Sequence, residues 1–130
     1  MSIDYGEKRV GLALSDELKI IARPLKVLKN DKNIYKEITQ LTKSYKVEKI
    51  IVGLPYWDKP TKIIKEVQSF VENLKKFLNI EIEFVNEFYS TKIAQEKLHS
   101  INKKLKKYKN KLDSLAACVI LQDYLDRINP

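Results

Sequence analysis

The apolar residues among the first thirty positions form short segments with the pattern of β-strands. Residues 2–5 and 9–14 predict two strands, and the link between them is so short that only an antiparallel hairpin can join them. Residues 24–28 predict a third strand, with Pro24 at its start, where a missing N–H matters least. The chain therefore opens with an antiparallel part of a sheet.

The pattern then changes to helical spacing that alternates with strands. Residues 31–45 predict an amphipathic helix, and residues 63–78 predict a second helix with one wide apolar stripe that includes Phe77 and Leu78. Between them, residues 49–53 form a continuous β-branched run, typical of a parallel strand covered on both faces. Residues 80–84 alternate apolar and acidic, which indicates a strand nearer a sheet edge.

Two further helices complete the predicted elements. Ser90 or Thr91 can cap a helix that runs through Leu98, and a final helix runs from about residue 110 to 127. The order of elements predicts an α/β fold with a mixed five-stranded sheet, which has an antiparallel hairpin at its start, parallel strands after it, and helices on both faces. We expect residues 1–130 to form a single domain.

Composition narrows the class of protein. Apolar residues make up 44% of the chain and charged residues 32%, and the longest apolar run, residues 115–121, is far too short to span a membrane. No signal peptide is expected, because Asp4 precedes any apolar stretch. The lone Cys118 excludes an internal disulfide and suits a reducing compartment. These features predict a cytoplasmic protein with no membrane partner.

The formal net charge is +8, from 25 basic and 17 acidic residues. Such an excess favours polyanionic partners such as nucleic acid. Three of the basic residues are Arg and the rest are Lys, a composition that genome bias or a thermophilic habitat also produces. Charge alone leaves nucleic-acid binding open.

Three acidic residues stand where a carboxylate is costly. Asp4 ends a buried strand, Glu87 follows the strand of residues 80–85, and Asp113 shares a helix face with small and apolar residues that must pack on the sheet. A buried carboxylate is unfavourable unless it is paired or binds a metal ion. Because the three segments are expected to converge, the three acids together favour a shared metal site.

Each acid also has a simpler interpretation. Asp113 could complete a helix cap together with Asn110, and Asp4 could be a turn residue that accepts a bond from the Gly6 N–H. Glu87 could be an ordinary surface acid in a loop. Taken one at a time, the positions leave these alternatives open.

A basic segment precedes Asp113. Residues 103–111 contain six lysines, namely Lys103, Lys104, Lys106, Lys107, Lys109 and Lys111. A charge run is usually a solvated face, but this one opens the helix that carries Asp113, which favours contact with a nucleic-acid backbone. Lys8 and Arg9 in the opening hairpin are predicted as further contacts. Tyr56 and Trp57 could stack on bases, although core packing or a dimer contact explains them equally well.

Five short segments resemble the YqgF/RuvX family of RNase H-like proteins. They lie in the family's order and cover essentially the whole chain: DYGEKRVGLALSD at 4–16, IVGLP at 51–55, NEFYST at 86–91, DSLAA at 113–117 and ILQDYL at 120–125. The family's usual forms of these segments are D-x-G-x-K-R-I-G-x-A-x-S-D, V-V-G-L-P, D-E-R-L-T-T, D-x-x-A-A and I-L-Q-x-Y-L. Members are described as Holliday junction resolvases and as nucleases that process the 16S ribosomal RNA precursor.

The resemblance implies an RNase H-like fold and an active site. The family's three acidic positions correspond to Asp4, Glu87 and Asp113, which would bind Mg²⁺ or Mn²⁺, with two ions by analogy to RNase H-type enzymes. It implies a metal-dependent endonuclease acting on structured nucleic acid, with the 16S ribosomal RNA precursor as substrate. Branched DNA is the alternative substrate, and a homodimer is left open.

The chain also departs from the family pattern. Phe88 stands in place of an Arg, Asn86 in place of an Asp, and residues 56–60 in place of an N-M-D-G turn. These changes leave a second function open, a catalytically quiet RNA-binding module, although such a module would not need the three acids. A third interpretation is an actin-like ATPase. Such enzymes need two domains of this sheet type around the nucleotide, and 130 residues supply one.

Overall fold

The computed structural model describes residues 1–54, 62–86 and 112–129. Within these ranges five strands and three helices form. The strands are β1 Ser2–Asp4, β2 Arg9–Ser15, β3 Ala22–Lys29, β4 Lys49–Leu54 and β5 Glu81–Asn86; the helices are α1 Ile34–Ser44, α2 Lys62–Leu74 and α3 Leu112–Ile128. The helix predicted from Ser90 or Thr91 to Leu98 lies outside the described residues. None of the described helices has the length and apolar character needed to cross a membrane.

The described strands form one mixed sheet in the order β3-β2-β1-β4-β5. The strand pairs β1–β2 and β2–β3 are antiparallel, whereas β1–β4 and β4–β5 are parallel. The predicted hairpin and mixed sheet are confirmed, as is the prediction that residues 49–53 form a parallel strand, which the structure places between β1 and β5. Because β1, β4 and β5 run in one direction, their last residues Asp4, Leu54 and Asn86 lie at the same end of the sheet, here called the carboxyl edge.

Each face of the sheet carries its own apolar core. Ile3, Leu12 and Val52 belong to a cluster that includes buried residues of α1 and α2. Ala13 and Ile51 belong to a second cluster formed with α3. Because side chains alternate along a strand, each strand contributes to both clusters. We call the side covered by α3 the α3 face.

Three hydrogen bonds fix the direction of α3 across the sheet. The Ser114 hydroxyl donates to the Leu12 carbonyl at 2.7 Å, and the Ser2 hydroxyl donates to the Ala117 carbonyl at 2.6 Å. Further along, the Ala22 N–H donates to the Gln122 side chain at 2.9 Å. Since Leu12 pairs with Ile3, α3 passes β1 in the opposite direction. Its first turn therefore lies near the carboxyl edge.

Two predicted details of the elements are wrong. α2 ends at Leu74, and Phe77 lies beyond it. The Phe77 ring stacks on Tyr35 with 5.5 Å between centroids, and it stays 46% exposed and outside the buried core. Pro24 is the third residue of β3, where it pairs with Ala13 next to an irregularity in the register. A missing N–H is tolerated there because the ladder is interrupted and β3 is an edge strand.

Candidate active site

Asp4 is the last residue of β1 and lies at the carboxyl edge, half-buried. It shares its face with Ser2, two residues earlier, whose side chain bonds to α3, so the Asp4 side chain is on the α3 face. Its partner in β2 is Gly11. The register of Ile3 with Val52 puts Gly53 of β4 on its other side. A carboxylate is thus held on a sheet between two positions that carry no side chain.

The carboxyl end of β5 reaches the same edge. Asn86, the last residue of β5, pairs with Leu54, and Val85 pairs with Gly53 and packs against the α3 cluster. Glu87 is the next residue after Asn86 in the chain and lies outside the described residues. The structure therefore brings the segment before Glu87 to the edge that holds Asp4, and the predicted role of Glu87 stays a prediction.

Asp113 is the second residue of α3, and the helix start is fixed by its neighbour. Ser114 is fully buried and bonds to the Leu12 carbonyl, one residue from the Gly11 partner of Asp4. The backbone at Asp113 is therefore close to the end of β1. The Asp113 side chain lies outside the described residues, so its predicted inward direction stays a prediction. Sequence reasoning missed Ser114, although a polar residue beside Asp113 on a buried helix face was a usable signal.

The described part of this site suits a hard cation. Asp4 supplies carboxylate oxygen, the donor that Mg²⁺ and Mn²⁺ prefer, and the flanking glycines place no side chain beside it. Among the described residues no group of three His, Cys, Asp or Glu side chains forms a metal cluster. Of the three predicted acids, only the side chain of Asp4 falls in that part.

Two other reactive groups in the described ranges have structural roles. Cys118 packs against the α3 cluster, and burial raises the pKa of its thiol to about 12, so it stays protonated and is a poor nucleophile or ligand. The Asp16 carboxylate accepts backbone hydrogen bonds from Ile21 at 3.0 Å and Ile20 at 2.7 Å, and these bonds lower its pKa. Asp16 therefore closes the turn between β2 and β3.

A polar network on the α3 face lies at the opposite end of the sheet. Lys49 at the start of β4 contacts the Glu83 carboxylate at 2.7 Å and the Tyr124 hydroxyl at 2.9 Å. The bond to Glu83 raises the pKa of Lys49, and the same bond lowers the pKa of Glu83. The network joins β4, β5 and α3 away from Asp4, so its role is to hold the helix on the sheet.

Of the predicted nucleic-acid contacts, Lys8 and Arg9 are both exposed at the β1–β2 turn, next to Asp4 in the chain. The lysines of residues 103–111 lie outside the described residues, as do Tyr56, Trp57 and Phe88. The structure thus leaves the lysine segment untested.

Sequence comparison finds relatives along the whole chain. Residues 1–127 match the family described as "RuvX: Holliday junction resolvase". A protein of Sulfurihydrogenibium sp. (strain YO3AOP1) is 41% identical over 99% of this chain and 90% of its own length, and one of Mycoplasmopsis synoviae (strain 53) is 38% identical over 97% and 96%. Both carry the name "Putative pre-16S rRNA nuclease".

Structural comparison finds resolvases. The fold is similar to that of T. thermophilus RuvC in complex with a Holliday junction substrate, with a TM-score of 0.65, 14% identity, and coverage of 97% of this chain and 92% of that one. Fowlpox virus resolvase in complex with Holliday junction DNA gives a TM-score of 0.57 at 16% identity, covering 99% and 97%. At these identities the likeness concerns the fold, and it confirms the RNase H-like α/β architecture predicted from the sequence.

Proposed function

Because the chain belongs to the RuvX family, we propose that it is a metal-dependent endonuclease that cleaves structured nucleic acid, with the precursor of 16S ribosomal RNA as its substrate. The observation that carries the proposal is that Ser114 holds the first turn of α3 on Leu12, one residue from the Gly11 partner of Asp4 at the carboxyl edge. The names of the curated relatives support the choice of ribosomal RNA.

In this proposal Asp4, Glu87 and Asp113 together hold one or two Mg²⁺ or Mn²⁺ ions. Such ions lower the pKa of water and neutralise charge that develops on a phosphate. Asp4 is fixed by the hairpin on one side and by the parallel strand β4 on the other. Val85 faces α3, and we expect Glu87, two residues later, to continue the same side of β5. Asp113 would approach from the helix that Ser114 fixes in place.

The test is cleavage by the full chain with Mg²⁺, Mn²⁺ or EDTA. The substrates are a 16S precursor transcript and a four-way DNA junction. We expect metal-dependent cleavage of the transcript, and Asp4→Asn, Glu87→Gln and Asp113→Asn should each remove most of it. Double variants should be little worse than single ones, because the acids act as one unit.

Glu48→Gln is the matched control, because this carboxylate is 83% exposed and precedes β4 at the other end of the sheet. Full activity in Asp113→Asn would contradict the assignment of the acids, and cleavage that persists in EDTA would contradict the metal.

A second candidate substrate is branched DNA, which the family description favours. The same incubations separate the two candidates. Cleavage of the junction at symmetric positions, with the transcript left intact, would replace the ribosomal assignment and keep the metal site.

A further inference from the structure

The hairpin beside Asp4 carries two cations directly opposite each other. Arg9 is the first residue of β2 and pairs with Lys29, the last residue of β3; both are exposed. Like charges at opposite positions of an antiparallel pair destabilise it. Neither side chain forms an ion pair with any residue in the described ranges. The arrangement costs stability in the free protein and therefore suggests that an anion binds there.

This Arg9–Lys29 pair lies on the same face of the sheet as Asp4. Arg9 is two residues before Gly11 on β2, so their side-chain directions agree, and Gly11 is the partner of Asp4. A step of two residues along a strand is roughly 7 Å. The cations therefore stand beyond Asp4 at a distance of the order of one nucleotide.

An open pocket of about 710 Å³ includes the pair. Its polar lining comes from Lys8, Arg9, Lys29, Asn30 and a single acid, Glu7, and its apolar wall comes from β3. Cations therefore dominate the mouth of the pocket.

Asn30 makes the surroundings of the pair rigid. Its side-chain amide donates to the Gly6 carbonyl at 2.8 Å, and its backbone N–H donates to the Lys8 carbonyl at 3.0 Å. The turn that precedes Arg9 is thereby tied to the residue that follows Lys29. A turn held in this way does not have to order its backbone when an anion binds.

We propose that the Arg9–Lys29 pair binds one backbone phosphate of the substrate, next to the phosphate that Asp4 faces. This assignment rests on the proposed nuclease function. The guanidinium of Arg9 can grip two phosphate oxygens, while Lys29 adds a point charge from the neighbouring strand. Binding relieves the repulsion between the two cations, so the pair contributes affinity and fixes the position of the strand at the acids.

The first test measures binding in EDTA, where cleavage plays no part. The probes are a fluorescent single-stranded RNA and a labelled four-way DNA junction. Arg9→Gln/Lys29→Gln should bind either probe roughly tenfold more weakly at low salt, the size of one charge-assisted contact. The slope of log affinity against log salt should fall by about 0.7 to 0.9 for the phosphate lost.

The control variant Lys36→Gln/Lys65→Gln has the same net charge. Both lysines are exposed, on α1 and α2, which cover the other face of the sheet. Equal weakening in the two double variants would overturn the proposal, because the pair would then act only through overall charge. Should Arg9→Gln/Lys29→Gln not fold, Arg9→Gln and Lys29→Gln each carry the same comparison.

The second test locates the phosphate. Neutral methylphosphonate linkages are placed one at a time along the RNA and along one junction strand. The affinity of the wild type should fall when the neutral linkage stands at one particular position, and a linkage at that position should leave the affinity of Arg9→Gln/Lys29→Gln unchanged. Identical profiles for the two proteins would overturn the proposal. If wild type cleaves neither substrate, the nuclease proposal fails by itself, while the binding profiles still decide whether the pair holds a phosphate.

Discussion

Position 6 has no room for a side chain, so it requires glycine. A Cβ built on this residue would lie 2.5 Å from the carbonyl oxygen of Arg9, a backbone atom that cannot rotate away. The Gly6 carbonyl also accepts the Asn30 side-chain bond that holds the turn. Gly6 therefore sets the path of the chain from Asp4 to Arg9, which explains physically why glycine stands two residues after the acid that we propose as a metal ligand.

Gly6→Ala should displace the backbone at Arg9 and destabilise the fold by about 1–3 kcal/mol, the usual cost of an overpacked site. Thermal denaturation measures the loss, and phosphodiester cleavage should fall with it because Asp4 adjoins the turn. Lys8→Ala is the control in the same turn and should change stability by less than about 0.5 kcal/mol, since its side chain is exposed. Equal melting temperatures for the two variants would show that the turn relaxes freely.

At the residue scale the sequence predicted the place of Asp4 at the end of β1 but did not predict the residues that surround it. A carboxylate that follows a short apolar segment and precedes a glycine indicates the end of a strand from the local sequence alone, whichever strands lie beside it. That Gly53 flanks Asp4 depends on the parallel register of β1 with β4, which are joined by more than forty residues of chain. No local pattern encodes such a register. The opposition of Arg9 and Lys29 was missed because it depends on the register of β2 with β3, which shifts between Leu12 and Ala13.

Among the elements, the strands were predicted more accurately than the helix ends. Each predicted strand exists, because alternation or a continuous β-branched run marks it directly. The end of α2 was misplaced because apolar residues continue at helical spacing to Leu78 without a glycine or proline to stop the pattern. Phe77 instead packs on Tyr35 of α1, a contact between elements that the periodicity of one helix cannot reveal.

The docking of α3 depends on two buried serines that can be compared directly. Ser114→Ala and Ser2→Ala each remove one buried hydrogen bond and should each cost about 1 kcal/mol, or roughly 3 °C in melting temperature. Ser114→Ala should reduce cleavage and Mn²⁺ affinity further, because Ser114 positions the helix turn that carries Asp113. Ser2→Ala, with a similar loss of stability, is the control. Equal activities in the two variants would show that Ser114 only stabilises the fold.

For the whole molecule, metal binding should be visible as stability. In the proposed site the carboxylates of Asp4, Glu87 and Asp113 repel one another, so an ion that binds them in the folded state stabilises it by linkage. At a hundred times the dissociation constant the gain is about 2.7 kcal/mol. Calorimetry should show that Mn²⁺ raises the melting temperature relative to EDTA, and that Asp4→Asn loses this increase while Glu48→Gln keeps it. A melting temperature unchanged by saturating metal would contradict a shared site.

The contacts of α3 also set an order of events during synthesis. The Ser2–Ala117 bond joins residues 115 positions apart, and the apolar side formed by Ala13 and Ile51 has α3 as its cover. A ribosome makes the chain at about 5–20 residues per second, so that side of the nascent sheet stays exposed to solvent for several seconds after β4 has been made. A nascent-chain chaperone would find its binding surface there. On the proposed assignment of Asp113, the capacity to cut RNA begins only when that surface disappears.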